Sequence, residues 1–424
     1  MKLRAALPFI VFCSLAATWA VAQTKTPSQA AAAQFAGDIP EANQLQLGVG
    51  ATATYDDNAF NSVPGNGQAL FGATPKISWN ISHAHWFSLL SYSALVQRST
   101  RYDFYSRTSH NFDTQFNYRF SKSLSLNVTD NFLHSADPLY NAGATGGTQP
   151  GSPNSSFVGQ PTVRTSNYLD VEGDYRLDAR STVGVGGSYG FQRYSDVPNA
   201  SFRDSNSASG RASYNYALSQ RTRLGASYDY VSITTPAGYD TVSQRMSLTA
   251  DLTFRPDMSV QVFAGPNHVN SSYHLVQPGG VTIPTSNASW TWSAGGTYIW
   301  TATKFSMQGS AIHQVSDGGG LVGAVQLTSF TYGLEGKLPH KFKGSLHVGY
   351  NLNDRVNLQA NGVSKGQYAS AGASLSRQLA RDLELRAQYD RMEQLLGSTS
   401  GAPWIDRNRV MLSITYTFTH PLGR

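Results

Sequence analysis

The chain has 424 residues, 40% hydrophobic, 14% charged and 12% aromatic, with a formal net charge of +6. Roughly 25% of an average soluble domain is charged, so this chain is poor in charge, and its mean hydropathy of −0.31 excludes a bundle of membrane-spanning helices. The 22 Tyr and 20 Phe argue against wholesale disorder and, with 39 Gly, point to β-structure in an unusual solvent.

Lys2 and Arg4 precede the apolar stretch 5–17, and Ala20-Val21-Ala22 fits a small-residue cleavage site. Residues 1–22 therefore read as a secretory signal peptide, too short in its core for a membrane anchor. Removing them takes away Cys13, the one cysteine, and leaves a chain without disulfides or cysteine metal sites. Losing Lys2 and Arg4 also lowers the net charge from +6 to +4. The remaining basic residues are scattered singly, so no nucleic-acid partner is expected. Residues 23–43, rich in Ala, Gln, Thr and Pro, read as a periplasmic linker.

From Leu45 onward the dominant period is two. Phe112, Thr114, Phe116, Tyr118 and Phe120 alternate with Asn111, Asp113, Gln115, Asn117 and Arg119. Val242, Met246, Leu248, Ala250, Leu252 and Phe254 alternate with polar residues, Gln244 being the exception on the apolar side. Such segments are strands with one apolar and one polar face. Short polar connections centre near His83, Lys122, Ala179, Gln220, Pro256, Ala302, His340 and Arg381, about forty residues apart. Longer stretches lie between them, at 134–163, 196–204, 266–286, 317–322 and 394–404.

Short turns alternating with long loops, joined by segments of about ten to fourteen residues, match a transmembrane barrel rather than a soluble sandwich. The expected fold is all-β: an antiparallel up-and-down barrel over residues 44–419, with about 18 strands (16 as the lower alternative). Residues 420–424 are left as a C-terminal tail. Val410, Leu412, Ile414, Tyr416 and Phe418 form an alternating last strand, similar to the signal read by the outer-membrane barrel assembly machinery. Aromatics gather towards strand ends, and Trp79, Trp86, Trp290, Trp292, Tyr298, Trp300, Tyr416 and Phe418 are the expected membrane-interface residues. Trp290 and Trp292 are read as beginning a strand that Tyr298 and Trp300 end. The expected setting is the outer membrane of a Gram-negative bacterium, reached through the periplasm, with outer-membrane lipid around the barrel.

A barrel of this size encloses an aqueous lumen. Lumen candidates are Asp170, Glu172, Asp174 and Arg176 on one strand, and Glu384, Arg386 and Asp390 on another. Arg211, Arg223, Asp229, Arg245 and Asp251 complete the set. Their opposed charges either shape a field across the pore or simply solvate the wall. Arg101-Tyr102-Asp103-Phe104-Tyr105 and a loop carrying Tyr273 and His274 offer stacking surfaces to sugars, and Asp56-Asp57-Asn58 offers oxygen ligands to Ca²⁺ or, more simply, a turn. His83, His85, His134, His340 and His420 are placed in turns, loops or the tail. His313 and His347 fall in strands without a recognisable Ser or Asp partner, so no catalytic residue, cofactor or metal is assigned.

The first strand and its exit read Gly48-Val49-Gly50-Ala51-Thr52-Ala53-Thr54-Tyr55-Asp56-Asp57-Asn58-Ala59-Phe60. This glycine-containing strand ending in Tyr-Asp-Asp-Asn resembles the β-barrel porin families, some of whose members accompany exopolysaccharide export systems of Gram-negative bacteria. The resemblance implies a channel passing hydrophilic solutes or a conduit for glycans, and brings no catalytic residues with it. The alternatives are a non-conducting structural or assembly barrel with partner-binding loops and, last, a lipid-modifying enzyme. Homo-oligomerisation is left open.

Overall fold

The computed structural model describes residues 43–59, 65–101, 107–135, 163–195, 204–236, 238–276, 282–317, 324–356, 365–396 and 404–422. The expected signal peptide, most of the expected linker and the connections 136–162 and 196–203 lie outside these.

Among the described residues eighteen strands follow one another, with no helix longer than a single turn. They are β1 (Gln44–Asp56), β2 (Gln68–Ser82), β3 (Trp86–Ser99), β4 (Arg107–Arg119), β5 (Leu124–Ser135) and β6 (Val163–Arg176). Next come β7 (Ser181–Ser195), β8 (Ser205–Ala217), β9 (Thr222–Thr235), β10 (Tyr239–Arg255), β11 (Met258–Val276) and β12 (Thr282–Thr301). The last six are β13 (Phe305–Ser316), β14 (Val325–Lys337), β15 (Phe342–Arg355), β16 (Lys365–Ala380), β17 (Leu383–Leu396) and β18 (Ile405–Pro421). Every strand pairs antiparallel with its sequence neighbours. β1 also pairs with β18, placing Val49 opposite Tyr416 on one side and Pro75 on the other. The sheet closes on itself, the condition for a β-structure in lipid, with β12 and β13 paired only over their short-turn half.

All eight predicted short turns are present at one end of the barrel. Three share a device in which a side chain stands in for a backbone acceptor. Asp178 Oδ1 accepts from the backbone N–H groups of Arg180 and Ser181 at 2.6 and 2.8 Å. Ser219 Oγ accepts from Arg221 and Thr222 at 3.1 and 3.0 Å, and Ser121 Oγ from Ser123 and Leu124 at the same distances. The N–H of Arg180, followed by that of Ser181, holds the Asp178 carboxyl below its usual range. In the turn between β14 and β15, His340 and Lys341 take left-handed backbone angles (φ 58° and 62°) without being glycine.

Alternation then sorts the side chains. Leu248, Met246, Val185 and Val49 are 74, 63, 62 and 56% exposed on the outside, an arrangement that only a lipid solvent makes favourable. Gln244, the polar exception on this face, accepts from the Tyr228 hydroxyl at 3.4 Å.

Three boundaries differ from expectation. The predicted connection 266–286 is mostly strand, β11 running to Val276 and β12 starting at Thr282. Gly265 and Pro266 mark a close backbone approach within β11. A Cβ on Gly265 would lie 1.8 Å from the Met246 carbonyl oxygen, and the β10–β11 ladder skips that pair of residues. His134 belongs to β5, and His420 and Pro421 extend β18 rather than forming a tail. In each case the two-residue period simply continues, and the Phe418 and His420 rings stack at 6.3 Å.

Candidate functional site

Residues directly opposite in a sheet share a face, so the register carries the inner face around the ring. Gly186, Arg211, Asp229 and Arg245 form one inward row across β7 to β10. Arg211 Nε donates to Asp229 Oδ1 at 2.9 Å, and Arg245 donates through Nε and Nη2 to Oδ2 at 3.1 and 2.9 Å. Asp229 is 2% exposed and held between two guanidiniums. Phe263 lies 4.8 Å beneath Arg245 and fixes its plane.

β17 stands nine strands from β8, on the opposite wall. There Asp390 accepts from Arg409 Nη2 at 3.2 Å and from Gln388 Nε2 at 3.0 and 2.9 Å. His347 Nε2 lies 3.6 Å from Asp390 Oδ1, giving that histidine the acidic partner the sequence did not disclose. His313, by contrast, faces outward, stacked on Trp292 at 4.0 Å and 2.8 Å from Thr328 Oγ1.

The other lumen candidates take these places. Asp170, Glu172 and Asp174 alternate with the exposed Leu169, Val171 and Tyr175 and point inward, with Arg176 at the rim. Gly184 and Gly186 of β7 leave space beside Asp174 and Glu172. Arg223 and Asp251 are directly opposite one another, three inward positions below Asp229 and Arg245. Glu384 and Arg386 lie below Asp390 on the same inner row. Asp113, on β4, accepts from Asn131 and from Asn111.

Trp79, Trp290, Trp292, Tyr416 and Phe418 stand outward, 47, 73, 59, 48 and 48% exposed. Trp300 Nε1 donates to Asp257 Oδ2 at 3.0 Å, its polar tip on a short turn. Tyr298 shares its outward face two residues above, and Trp86 lies beside His83 at 4.7 Å. Trp290 and Trp292 do not begin a strand: β12 starts eight residues earlier, and they sit towards its long-loop half.

The expectation for Tyr273 changes, and of the two readings of Asp56-Asp57-Asn58 the turn is the one present, over 57–59. Tyr273 is not on a loop but in β11, 3% exposed and stacked on Tyr239 at 6.1 Å, which withdraws it from sugar contact. The 102–105 aromatic loop lies outside the described residues. Asp56 forms a buried ion pair with Arg407, and Asp57 accepts from the Asn408 backbone and side chain at 2.6 Å each. The carboxylates offered to Ca²⁺ thus clasp β1 to β18. Among the described residues no group of three or more His, Cys, Asp and Glu could hold a metal.

The upper lumen, towards the long loops, holds residues that sequence reasoning missed. β12 and β13 stop pairing above Ala294 and His313, while β13 stays paired with β14 up to Ser316. Above that point β13 turns into the barrel. Gln314 Oε1 accepts from Arg245 of β10 at 3.2 Å, and Asp317 Oδ2 accepts from Ser205 of β8 at 2.9 Å. Five strands along a wall span roughly 24 Å at about 4.8 Å each, so the second contact crosses the lumen. Val315 and Ala324 pack there against Val231, Ile233 and Val269 of the opposing walls, with Val356 against them. Leu327, Tyr368 and Met392, also inward, are at most 1% exposed. The one sequence signal is a change of parity: after the outward Tyr228 and Tyr230, the apolar residues become the inward Val231 and Ile233.

A closed barrel of eighteen strands, with an apolar outer band, short turns at one end and long connections at the other, is the architecture of outer-membrane porins of Gram-negative bacteria. No family model and no curated relative matches the sequence. Among solved structures the chain is similar to OccAB3 of Acinetobacter baumannii, 11% identical, with 89% of this chain and 99% of that one covered and a TM-score of 0.40. Pseudomonas aeruginosa OpdL is 13% identical over 89% and 99%, TM-score 0.40. Pseudomonas aeruginosa OccK2 (OpdF) in complex with glucuronate is 12% identical over 89% and 98%, TM-score 0.41. These scores are low, and the functional reading rests on the lumen itself.

Proposed function

We propose that this barrel is a passive outer-membrane channel for small hydrophilic solutes. The observation that supports it is the pair of charge clusters on opposite walls, Arg211–Asp229–Arg245 facing His347–Asp390–Arg409. Hydrogen-bonded charges inside a narrow aqueous path orient a polar solute and replace part of its hydration. The inward-turned end of β13 narrows the path above them, which favours single small solutes over a polymer. A conduit for exopolysaccharide is supported by the 48–60 resemblance alone. The packed upper lumen favours a second reading, a barrel that stays shut and presents its loops to a partner.

Recording from single barrels of proven insertion in planar bilayers separates the readings. Discrete conductance steps are expected, blocked reversibly by small charged solutes and indifferent to long neutral glycans. A silent barrel overturns the channel in favour of the structural reading, and block by glycan chains would restore the conduit. Shortening the 136–162 connection should raise the conductance if that segment narrows the lumen.

A further inference from the structure

Imidazole is the side-chain group whose charge ordinarily changes between about pH 5 and pH 8, so the placement of histidines around the barrel decides what an acid shift can do. His83, His85 and His340 lie in short turns, and His274 lies at the long-loop end of β11. His110, His134, His268, His313 and His420 hold outward parity, His268 opposite Trp290, His313 opposite Ala294 and His420 opposite Leu45. His347 remains, and it faces the lumen, opposite Gly333 on β14 and Gly372 on β16. A Cβ on Gly372 would lie 2.6 Å from Asp390 Oδ1 and would collide with the His347 ring. The missing side chain is what lets β15 and β17 join over β16. His347 Nε2 lies 3.6 Å from Asp390 Oδ1, and Asp390 Oδ2 accepts from Arg409 Nη2 at 3.2 Å. The imidazole stays 39% exposed, so water can bring it a proton. The nearest other charged groups on this inner face are Glu335 on β14, Lys343 on β15, Arg386 on β17, and Arg407 on β18, the last buried against Asp56. β16 brings only Ser370 and Ser374 beside Gly372.

The two walls carry the same arrangement with one exchange. On one, Asp229 is held between Arg211 and Arg245; on the other, Asp390 is held between Arg409 and His347. We propose that His347 is the proton-controlled selectivity residue of the channel, an inference that rests on the conducting reading above. With a neutral imidazole the wall of β15 to β18 is balanced, Asp390 against Arg409, and the excess positive charge belongs to the Arg211–Asp229–Arg245 side alone. A proton on the ring gives an imidazolium that donates to Asp390. That wall then gains the excess positive charge that Arg211 and Arg245 give the other. Guanidinium and carboxyl groups ordinarily titrate outside this pH range. An ion between the walls now meets cationic excess on both sides, so anions gain over cations as pH falls. The path itself need not change shape.

The test is the reversal potential of single barrels in planar bilayers across a KCl gradient, read at about pH 8 and about pH 5, with heat-modifiability on gels as the check of folding. In the wild type the chloride-to-potassium permeability ratio is expected to rise by roughly twofold or more at the lower pH, the weight of one unit charge about 10 Å away in water. His347→Gln, polar but without a titrating group, should hold the higher-pH ratio at both. His347→Arg, a fixed cation, should hold the lower-pH ratio at both. His313→Gln, on the outer wall, should leave the wild-type response intact. A ratio that does not move with pH in a conducting wild type overturns this inference alone, as does a response that His347→Gln retains in full. A silent barrel overturns the channel itself and this inference with it.

Discussion

Asp229 shows how much one inward side chain carries. Its carboxylate serves Arg211 and Arg245 at once and is almost wholly withdrawn from solvent. Neutralising one member of a buried charge group leaves the others uncompensated, at about 3 kcal/mol or more. Asp229→Asn should therefore lower unfolding free energy by that order in a urea titration of vesicle-inserted protein. It should also move the reversal potential towards anion selectivity, since two guanidiniums then face the path. Asp178 works on a smaller scale. Its lowered folded-state pKa means the turn's contribution is present above the unfolded value, about 4, and is lost as pH falls through the folded one. Asp178→Asn should thus destabilise at pH 6 and matter less at pH 3, read as the urea midpoint at each pH. The Tyr-Asp-Asp-Asn motif also finds its physical reason here: Asp56 and Asp57 tie the first strand to Arg407 and Asn408 of the last.

Among the elements, β13 differs from the rest. β14 stays paired with β15 along its whole length, whereas the end of β13 leaves β12 and turns into the lumen to meet β8, β9, β10 and β11. On its β12 side the departing end of β13 has no ladder; it stays paired with β14 and meets the other walls through a small apolar cluster and side-chain hydrogen bonds of Gln314 and Asp317. Val315→Asp places a carboxylate in that cluster, at a cost above the roughly 1–3 kcal/mol of an unpaired neutral polar group. Release of this end of β13 should raise unitary conductance in bilayer recordings. An unchanged trace would mean that β13 does not limit the path. The short turns, by contrast, were legible beforehand, because Asp-x-Arg and Ser-x-Arg connections between alternating segments carry their own hydrogen-bond logic.

For the whole molecule, the decisive property is that its apolar surface faces outward. Leu248 is 74% exposed, a position where a soluble protein would accept a charge at little cost. In a bilayer, Leu248→Arg should cost about 2–4 kcal/mol. Thr249→Arg, one residue along and facing the lumen, should cost within about 0.5 kcal/mol. The pair of urea titrations in vesicles reads the solvent of each face directly, and equal costs would contradict the membrane placement.

Low charge, abundant tyrosine and glycine, and a period of two were enough to determine a closed barrel and the positions of its eight short turns. Those features follow from local rules: a strand turns successive side chains to opposite sides, and lipid tolerates neither charge nor open edges. Tertiary structure alone decided that His347 meets Asp390, that Asp229 is shared by two arginines, and that β13 turns inward onto β9 and β11. It also placed Asp130 beside Thr114 on the outer wall. Each of these joins residues from different strands, some from opposite sides of the lumen, and is set by register and closure. A strand's own sequence carries no trace of which residue will lie across a ring of eighteen.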